Sequence, residues 1–320
     1  MAFLIKNEKT LVYKERSVID GPFFLYYVGS MAKVSVIIPA YACAPYIART
    51  LESLQKQSFS DWEAIVVDDG SPDNVADVVA PYVERDSRIR FIHSGNHGVS
   101  AARNLGVRES SGEFILPLDG DDIIAPKYIE ECLKGFERFE DAAVVYSRWA
   151  FFGASNDAVD LRYFSYDHEL VRNAIFNCAM FRRKDFDFIG GYDEDMRDGL
   201  EDWEFWIRML NPEKFGSKGE RRVVQLRDVL FFYRQKGVGH NPRSGEKRLM
   251  KALDYIYTKH SDIYRSRFGH PILMAQRFAT EYQVLRNEVR DSRLKERWRI
   301  AVSKRALRDR LERLGSEEGE

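Results

Sequence analysis

The sequence predicts an α/β protein built on a mostly parallel central sheet, and three observations carry that expectation. Short apolar runs alternate with stretches whose apolar residues recur at helical spacing. Polar and acidic residues cluster just after the apolar runs, not before them. The 320 residues are 44% hydrophobic and 13% aromatic, enough to bury a sizeable core in one large domain or in one domain with an appendage. Apolar runs without alternation are buried on both faces, which is the mark of a parallel sheet covered by helices on both sides.

The elements follow in order. Val34–Ile38 reads as the first strand. Pro45 stands in a first helical turn, and Ile47, Leu51 and Leu54 share one face behind it. Ala64–Val67 is the second strand, ending at Asp68-Asp69-Gly70. Val75, Val78, Val79, Tyr82 and Val83 mark a helix, Ile89–Ile92 a third strand, and Ser100–Glu109 a third helix before Gly112. Phe114–Leu118 is the fourth strand and runs into Asp119-Gly120-Asp121-Asp122. Pro126 opens a helix with Ile129, Leu133 and Phe136 on one face, and Ala142–Tyr146 closes the series. Beyond Phe151 the pattern loosens. Leu200–Leu210 is a compact helix, Val223–Leu226 and Leu230–Tyr233 are two short strands, and the remainder is mostly helical, with Leu249, Leu253 and Ile256 on one face and Leu307, Leu311 and Leu314 on another.

Three segments result: residues 1–30, an extension to which no chemistry is assigned, with Met31 opening the folded chain; residues 31–240, the α/β domain; and residues 241–320, a helical extension. Overall charge is near zero, with 49 basic and 50 acidic residues, but the last segment holds 19 Lys/Arg against 12 Asp/Glu. That balance argues against a nucleic-acid partner. It leaves an acidic body with a basic tail, which is either a solvated helical face or a contact for an anionic surface. No run of eighteen apolar residues occurs, so no spanning helix is expected. Three scattered cysteines, Cys43, Cys132 and Cys178, make neither a disulfide framework nor a zinc cluster and fit a reducing compartment.

In open α/β sheets, ligands bind at the carboxyl ends of the strands. Pro39-Ala40-Tyr41, Asp68-Asp69 and Asp119–Asp122 therefore belong to one rim. Three carboxylates in four residues repel one another unless a cation or hydrogen bonds compensate. Magnesium and manganese accept such oxygen ligands, usually sharing one or two carboxylates with substrate phosphates. An Asp-rich turn capping the Pro126 helix is the plainer account of the same residues. Asp68 and Asp69 suit either contacts to a base or ribose or an Asx turn. The first strand is followed by neither G-x-G-x-x-G nor a Walker-A loop, so a pyrophosphate here needs a metal and side-chain cations. Arg103 is one candidate; its alternative is a surface helix arginine. Glu201-Asp202, beside Trp203 and Trp206, are either helix dipole partners or a base whose pKa the aromatic surface tunes. His240 is a metal or phosphate contact or an ordinary loop histidine.

Taken together, Val34–Tyr41, Val66–Ser71, Gly98–Asn104, Leu118–Asp122 and Gly199–Trp203 resemble the family 2 glycosyltransferases over about residues 33–240, in the expected order. The resemblance implies the GT-A fold, an inverting, non-processive transferase, and Mn²⁺ or Mg²⁺ as cofactor. It places Pro39, Ala40, Tyr41 and Asp69 against the donor's base with Asp68 nearby, Arg103 toward the ribose and diphosphate, and Asp119 at the ribose. Asp121 and Asp122 match the metal-binding acids, with Asp119 beside them. Asp202 matches the catalytic base, with Glu201 as second candidate. The Gln-x-x-Arg-Trp motif of processive synthases is missing, which implies one sugar per acceptor visit.

The partners so implied are a nucleotide-sugar donor, UDP preferred over GDP or TDP, and a glycan or lipid-linked acceptor in cell-surface polysaccharide synthesis. A cytoplasmic protein is expected, resting on the inner membrane face through Arg293–Arg305 or pairing as a homodimer. The rivals are a nucleotidyltransferase, which releases pyrophosphate instead of a nucleoside diphosphate, and a non-catalytic glycan-binding protein.

Overall fold

A computed structural model describes residues 3–7, 10–14, 32–153, 164–235 and 242–270. The chain divides into one unit ending at Ile256 and another beginning at Tyr257. A hairpin of β1 (Phe3–Asn7) and β2 (Thr10–Lys14) lies within the stretch read as an extension. The run Phe23–Val28, His240, Arg293–Arg305 and Leu307–Leu314 lie outside the described residues.

The core of the first unit is an eight-stranded sheet. β3 (Val34–Ala40) is buried at all seven positions, as an unalternating apolar run requires. It pairs in parallel with β4 (Trp62–Asp69), and β4 with β5 (Ile89–Ser94). On its other side β3 pairs in parallel with β6 (Phe114–Pro117). The chain thus winds outward through α1 (Ala44–Gln55) and α2 (Val75–Arg85), then returns through α3 (Val99–Arg108) to β6. That reversal beside β3 is a topological switch point, where a crevice opens at the strand ends. α1 buries Ile47, Leu51 and Leu54, the face its spacing predicts. α3 packs on β3 and β4 because Gly106 has no side chain: a Cβ there would stand 2.5 Å from Ile37 Cγ2.

Beyond β6 the sheet becomes mixed. β9 (Met180–Arg182) lies antiparallel between β6 and β8 (Ala142–Gly153), and β10 (Arg222–Gln235) runs parallel to β8. β7 (Ile123–Ile124) is the antiparallel edge. The two short strands expected at 223–226 and 230–233 are one 14-residue strand. Arg227-Asp228 looks like a turn, but the ladder shifts register there and continues, as a bulge does. Strands β7 and β9 were not expected, being two and three residues long, too short to show a period. α4 (Tyr128–Arg138) buries Ile129, Leu133 and Phe136 as expected.

α5 (Tyr166–Val171), α6 (Arg183–Ile189) and α7 (Glu201–Leu210) pack beside the mixed half, with Phe205, Trp206 and Ile207 wholly buried. α8 (Pro242–Lys259) buries Ala252 and Ile256 while Leu249 is exposed, so its inward face is narrower than the expected stripe. In the second unit, α9 (Ser261–Phe268) sets the Tyr264 and Phe268 rings 6.3 Å apart in a tilted contact. Among the described residues no helix is long and apolar enough to cross a membrane.

Candidate active site

The carboxyl ends of β3, β4 and β6 open onto a cleft of about 620 Å³. Pro39, Ala40, Tyr41, Asp69, Asp119 and Asp121 all line it, so three segments well separated in the chain meet on one rim. Tyr41 is half exposed, with its ring available to the cleft. Two non-glycine residues among those described have positive φ, Ala42 at 49° and Leu200 at 63°. One follows Tyr41 and the other precedes Glu201. Backbone strain of this kind costs about 1–3 kcal/mol and collects where a site requires it.

Asp68 and Asp69 brace the rim from below. Asp69 accepts hydrogen bonds from the backbone N–H groups of His97 (2.8 Å) and Gly98 (2.9 Å), seating the turn that begins α3. Asp68 accepts from the Ser71 N–H at 2.8 Å and faces His93 Nδ1 at 2.8 Å. Both carboxylates are buried. Asp69 still lines the cleft; Asp68 does not.

Arg103 joins the two halves of the domain. It is 1% exposed. Its Nη2 donates to Asp119 Oδ1 at 2.8 Å, and its Nη1 donates to Glu201 Oε1 at 2.8 Å. Burial opposes its charge, but the two carboxylates more than offset this and raise its pKa well above the ordinary value. The guanidinium also lies 5.3 Å from the Tyr192 ring centre. Its neighbour Asn104 accepts from Tyr192 N–H at 2.8 Å and donates to Tyr192 O and to Glu194 Oε1. Successive residues of α3 therefore clamp the segment leading into α7 onto the sheet. Arg103 itself does not line the cleft, so it is placed as a strut beneath the rim and not as a surface cation.

Asp202 sits in the first turn of α7, after Gly199 (φ 100°) and Leu200. Its Oδ1 accepts from Trp203 N–H at 2.8 Å and its Oδ2 from Asn173 Nδ2 at 3.0 Å. Burial first, then the neighbouring Glu201 charge, pushes its pKa up to about 6, against the opposing pull of Arg103 and Asn173. Such a group is a serviceable base near neutral pH. Glu201, by contrast, is engaged by Arg103. Behind Asp202 lies Glu169, wholly buried and held well above the ordinary carboxylate range by desolvation.

The three acids of the 119–122 turn do not share one environment. Asp119 and Asp121 face the cleft. Asp122 is 1% exposed, and its Oδ1 accepts from Arg234 N–H at 2.8 Å, tying the turn to β10. Its Oδ2 is buried without a partner. Burial, then Asp119 and Asp121, pushes the Asp122 pKa up to about 9. Among the described residues no three His, Cys, Asp or Glu side chains converge as a ready-made cage. Hard divalent cations in phosphate sites need only one or two carboxylates, the rest of the shell being phosphate and water. Asp119, already paired with Arg103, and Asp121 are thus the acids of this turn that could hold a cation at the cleft.

Several cleft residues carry no sequence signal. Asn96, Arg197, Tyr233 and Arg248 line the cleft with the acids, although each stands in a loop, strand or helix of ordinary composition. The Tyr233 phenol is raised by burial and then by Asp122, Asp119, Asp121 and Asp202. It therefore stands within the field of both the acidic turn and the α7 acid. Asn173 could not be found from spacing, since its partner Asp202 is remote in the chain.

Residues 35–190 match the family model described as glycosyl transferase family 2. This stretch belongs to glycosyl transferase family 2. The family 2 domain is 44% identical over 92 residues to the uncharacterized glycosyltransferase EpsJ of Bacillus subtilis, covering 29% of this chain and 27% of that protein. The chain is 29% identical over 210 residues to the chondroitin synthase of Escherichia coli, covering 61% of this chain and 30% of the synthase. It thus spans under a third of the length of these relatives. The fold is of the GT-A type. S. aureus TarS 1-349 in complex with UDP superposes with a TM-score of 0.54 at 18% identity, over 73% of this chain and 75% of that one. The mannosyltransferase PcManGT of Pyrobaculum calidifontis, in complex with GDP-Man and Mn2+, superposes at 0.55 with 18% identity, over 86% and 82%.

Proposed function

We propose that this chain is an inverting glycosyltransferase that moves a sugar from a nucleoside-diphosphate donor to a hydroxyl of a glycan or lipid-linked glycan acceptor in polysaccharide synthesis. One observation carries the reading: Arg103 grips Asp119 at the strand rim and Glu201 at the head of α7, which ties the cleft-lining acid turn to the helix turn that carries Asp202, itself not among the residues lining the cleft. The similarity of the domain to polysaccharide synthases supports the acceptor class. Solved relatives in complex with UDP and with GDP-Man support the donor class, with UDP preferred.

In this reading the base of the donor packs in the cleft against Tyr41, Pro39 and Ala40. Asp69 keeps the 97–98 turn in place beneath it. Asp119 and Asp121 would hold a Mn²⁺ or Mg²⁺ ion, which when bound neutralises charge on the departing diphosphate. Asp122 anchors the turn to β10. Asp202 accepts the proton of the acceptor hydroxyl at Oδ1 or Oδ2 as that oxygen attacks the anomeric carbon opposite the leaving group. One displacement inverts the configuration, and no enzyme nucleophile is needed. Asn173 and the Trp203 N–H orient the carboxylate, while Arg103 restrains Glu201 from competing for the proton.

A thermal-shift panel of nucleotide sugars with and without Mn²⁺ tests the donor. A ligand at a hundred times its Kd adds about 2.7 kcal/mol of stability. Release of nucleoside diphosphate with a glycosylated acceptor supports transfer; release of pyrophosphate identifies a nucleotidyltransferase. No nucleotide-dependent stabilisation at all leaves a non-catalytic glycan-binding protein.

A further inference from the structure

We infer that Arg197 and Arg248 are the residues that grip the donor's diphosphate, and that they make the cleft selective for diphosphate over monophosphate nucleotides. The inference rests on the proposed donor class and adds the part of the site that reads the phosphates. A doubly phosphorylated ligand brings two or three negative charges into a cleft walled by Asp69, Asp119 and Asp121. One divalent ion held at two of those acids does not reverse the sign of the site, so further cations are required.

The cation nearest the acids is unavailable. Arg103 is buried, and both terminal nitrogens are committed to Asp119 and Glu201. Arg234 does not line the cleft: its Nε donates to Asp121 O at 2.8 Å, its guanidinium stacks between Tyr46 (4.6 Å) and Phe152 (4.3 Å), and its Nη2 is buried without a partner. Among the described residues, Arg197 and Arg248 are the cations that line the cleft. Both are exposed, and neither has a carboxylate partner among the described residues. They come from different elements, Arg197 from the turn before Gly199 and Arg248 from α8, so a ligand between them is held from two directions. Gly98 and Val99 on the same cleft wall open α3, whose N-terminal dipole favours an anion at that end. A planar guanidinium donates two parallel hydrogen bonds to phosphate oxygens.

The test uses the full chain with Mn²⁺ and measures Kd for UDP, UMP and uridine by competition, with GDP and GMP as a second series. Wild type is compared with Arg197→Gln, Arg248→Gln and the double variant. Because both side chains are exposed, each variant should melt with wild type. A charge-assisted hydrogen bond is worth about 1.5–3 kcal/mol. UDP binding should therefore weaken about 10- to 150-fold in each single variant, while uridine binding changes less than about twofold. The UDP/UMP preference should shrink most in the double variant. Arg197→Lys should keep part of the UDP affinity. Unchanged UDP affinity in both single variants overturns the assignment, as does an equal loss for uridine. If wild type binds uridine nucleotides and guanosine nucleotides equally poorly, the donor reading itself fails, and the assignment goes with it.

Discussion

Replacing Arg103 by Met removes the one side chain that spans the rim and α7, at nearly constant volume. Two carboxylates then lose their partner in a largely desolvated position. Breaking a buried ion pair from one side costs about 3–5 kcal/mol. Side-chain exposure is 2% for Arg103 but 29% for Asp119 and 14% for Glu201, so water recovers part of the loss and the low end of about 3 kcal/mol applies. For a domain of this size, about 2–4 °C of melting temperature accompanies each kcal/mol, giving a drop of about 6–12 °C. Thermal unfolding followed by circular dichroism at neutral pH measures it. The double variant Arg103→Met with Glu201→Gln leaves one fewer uncompensated charge and should recover at least about 1 kcal/mol relative to additivity. A melting temperature within about 2 °C of wild type for the single variant, or strict additivity in the double, would refute the strut.

Four further outcomes follow from the same geometry. Asp202→Asn should lower transfer by about 10²–10⁴ while donor affinity persists; retained turnover in a coupled nucleoside-diphosphate assay moves the base elsewhere. With Asp202 titrating at about 6, activity should rise with pH through that value as the carboxyl loses its proton. Asn173→Ala removes a donor that favours the charged form, so the acidic limb of kcat/KM should move upward by about 0.4–1.1 pH units, the equivalent of a 0.5–1.5 kcal/mol hydrogen bond; a downward or null shift contradicts the contact. Asp122 has its folded pKa raised to about 9, so its contribution to stability is complete below about 4 and is lost as pH climbs toward 9. In chelator-treated protein, Asp122→Asn should flatten the fall in melting temperature between about pH 5 and 9; identical slopes count against the buried, protonated acid.

The parallel half of the sheet was legible because its signal is local. Val34–Ala40 is apolar at nearly every position and buried throughout, and Ile47, Leu51 and Leu54 repeat with the helical period. The mixed half was less so: β9 is three residues long, and the bulge in β10 mimics a turn at Arg227-Asp228. The acids at 68–69, 119–122 and 201–202 draw attention in the sequence because charged residues leaving buried strands, or opening a helix, stand out from the pattern.

Order along the chain determined which residue types reach the rim, since strand polarity fixes which loops lie at the carboxyl ends. It did not determine their employment. Asp119 and Asp121 face the cleft while adjacent Asp122 turns beneath it, and Arg103 bears on two carboxylates 16 and 98 positions away instead of on the surface. Those outcomes depend on which partner is within 3 Å after folding and on how much water remains, and neither is a property of neighbouring residues. Periodicity reports burial; only the packed chain decides which buried charge meets which.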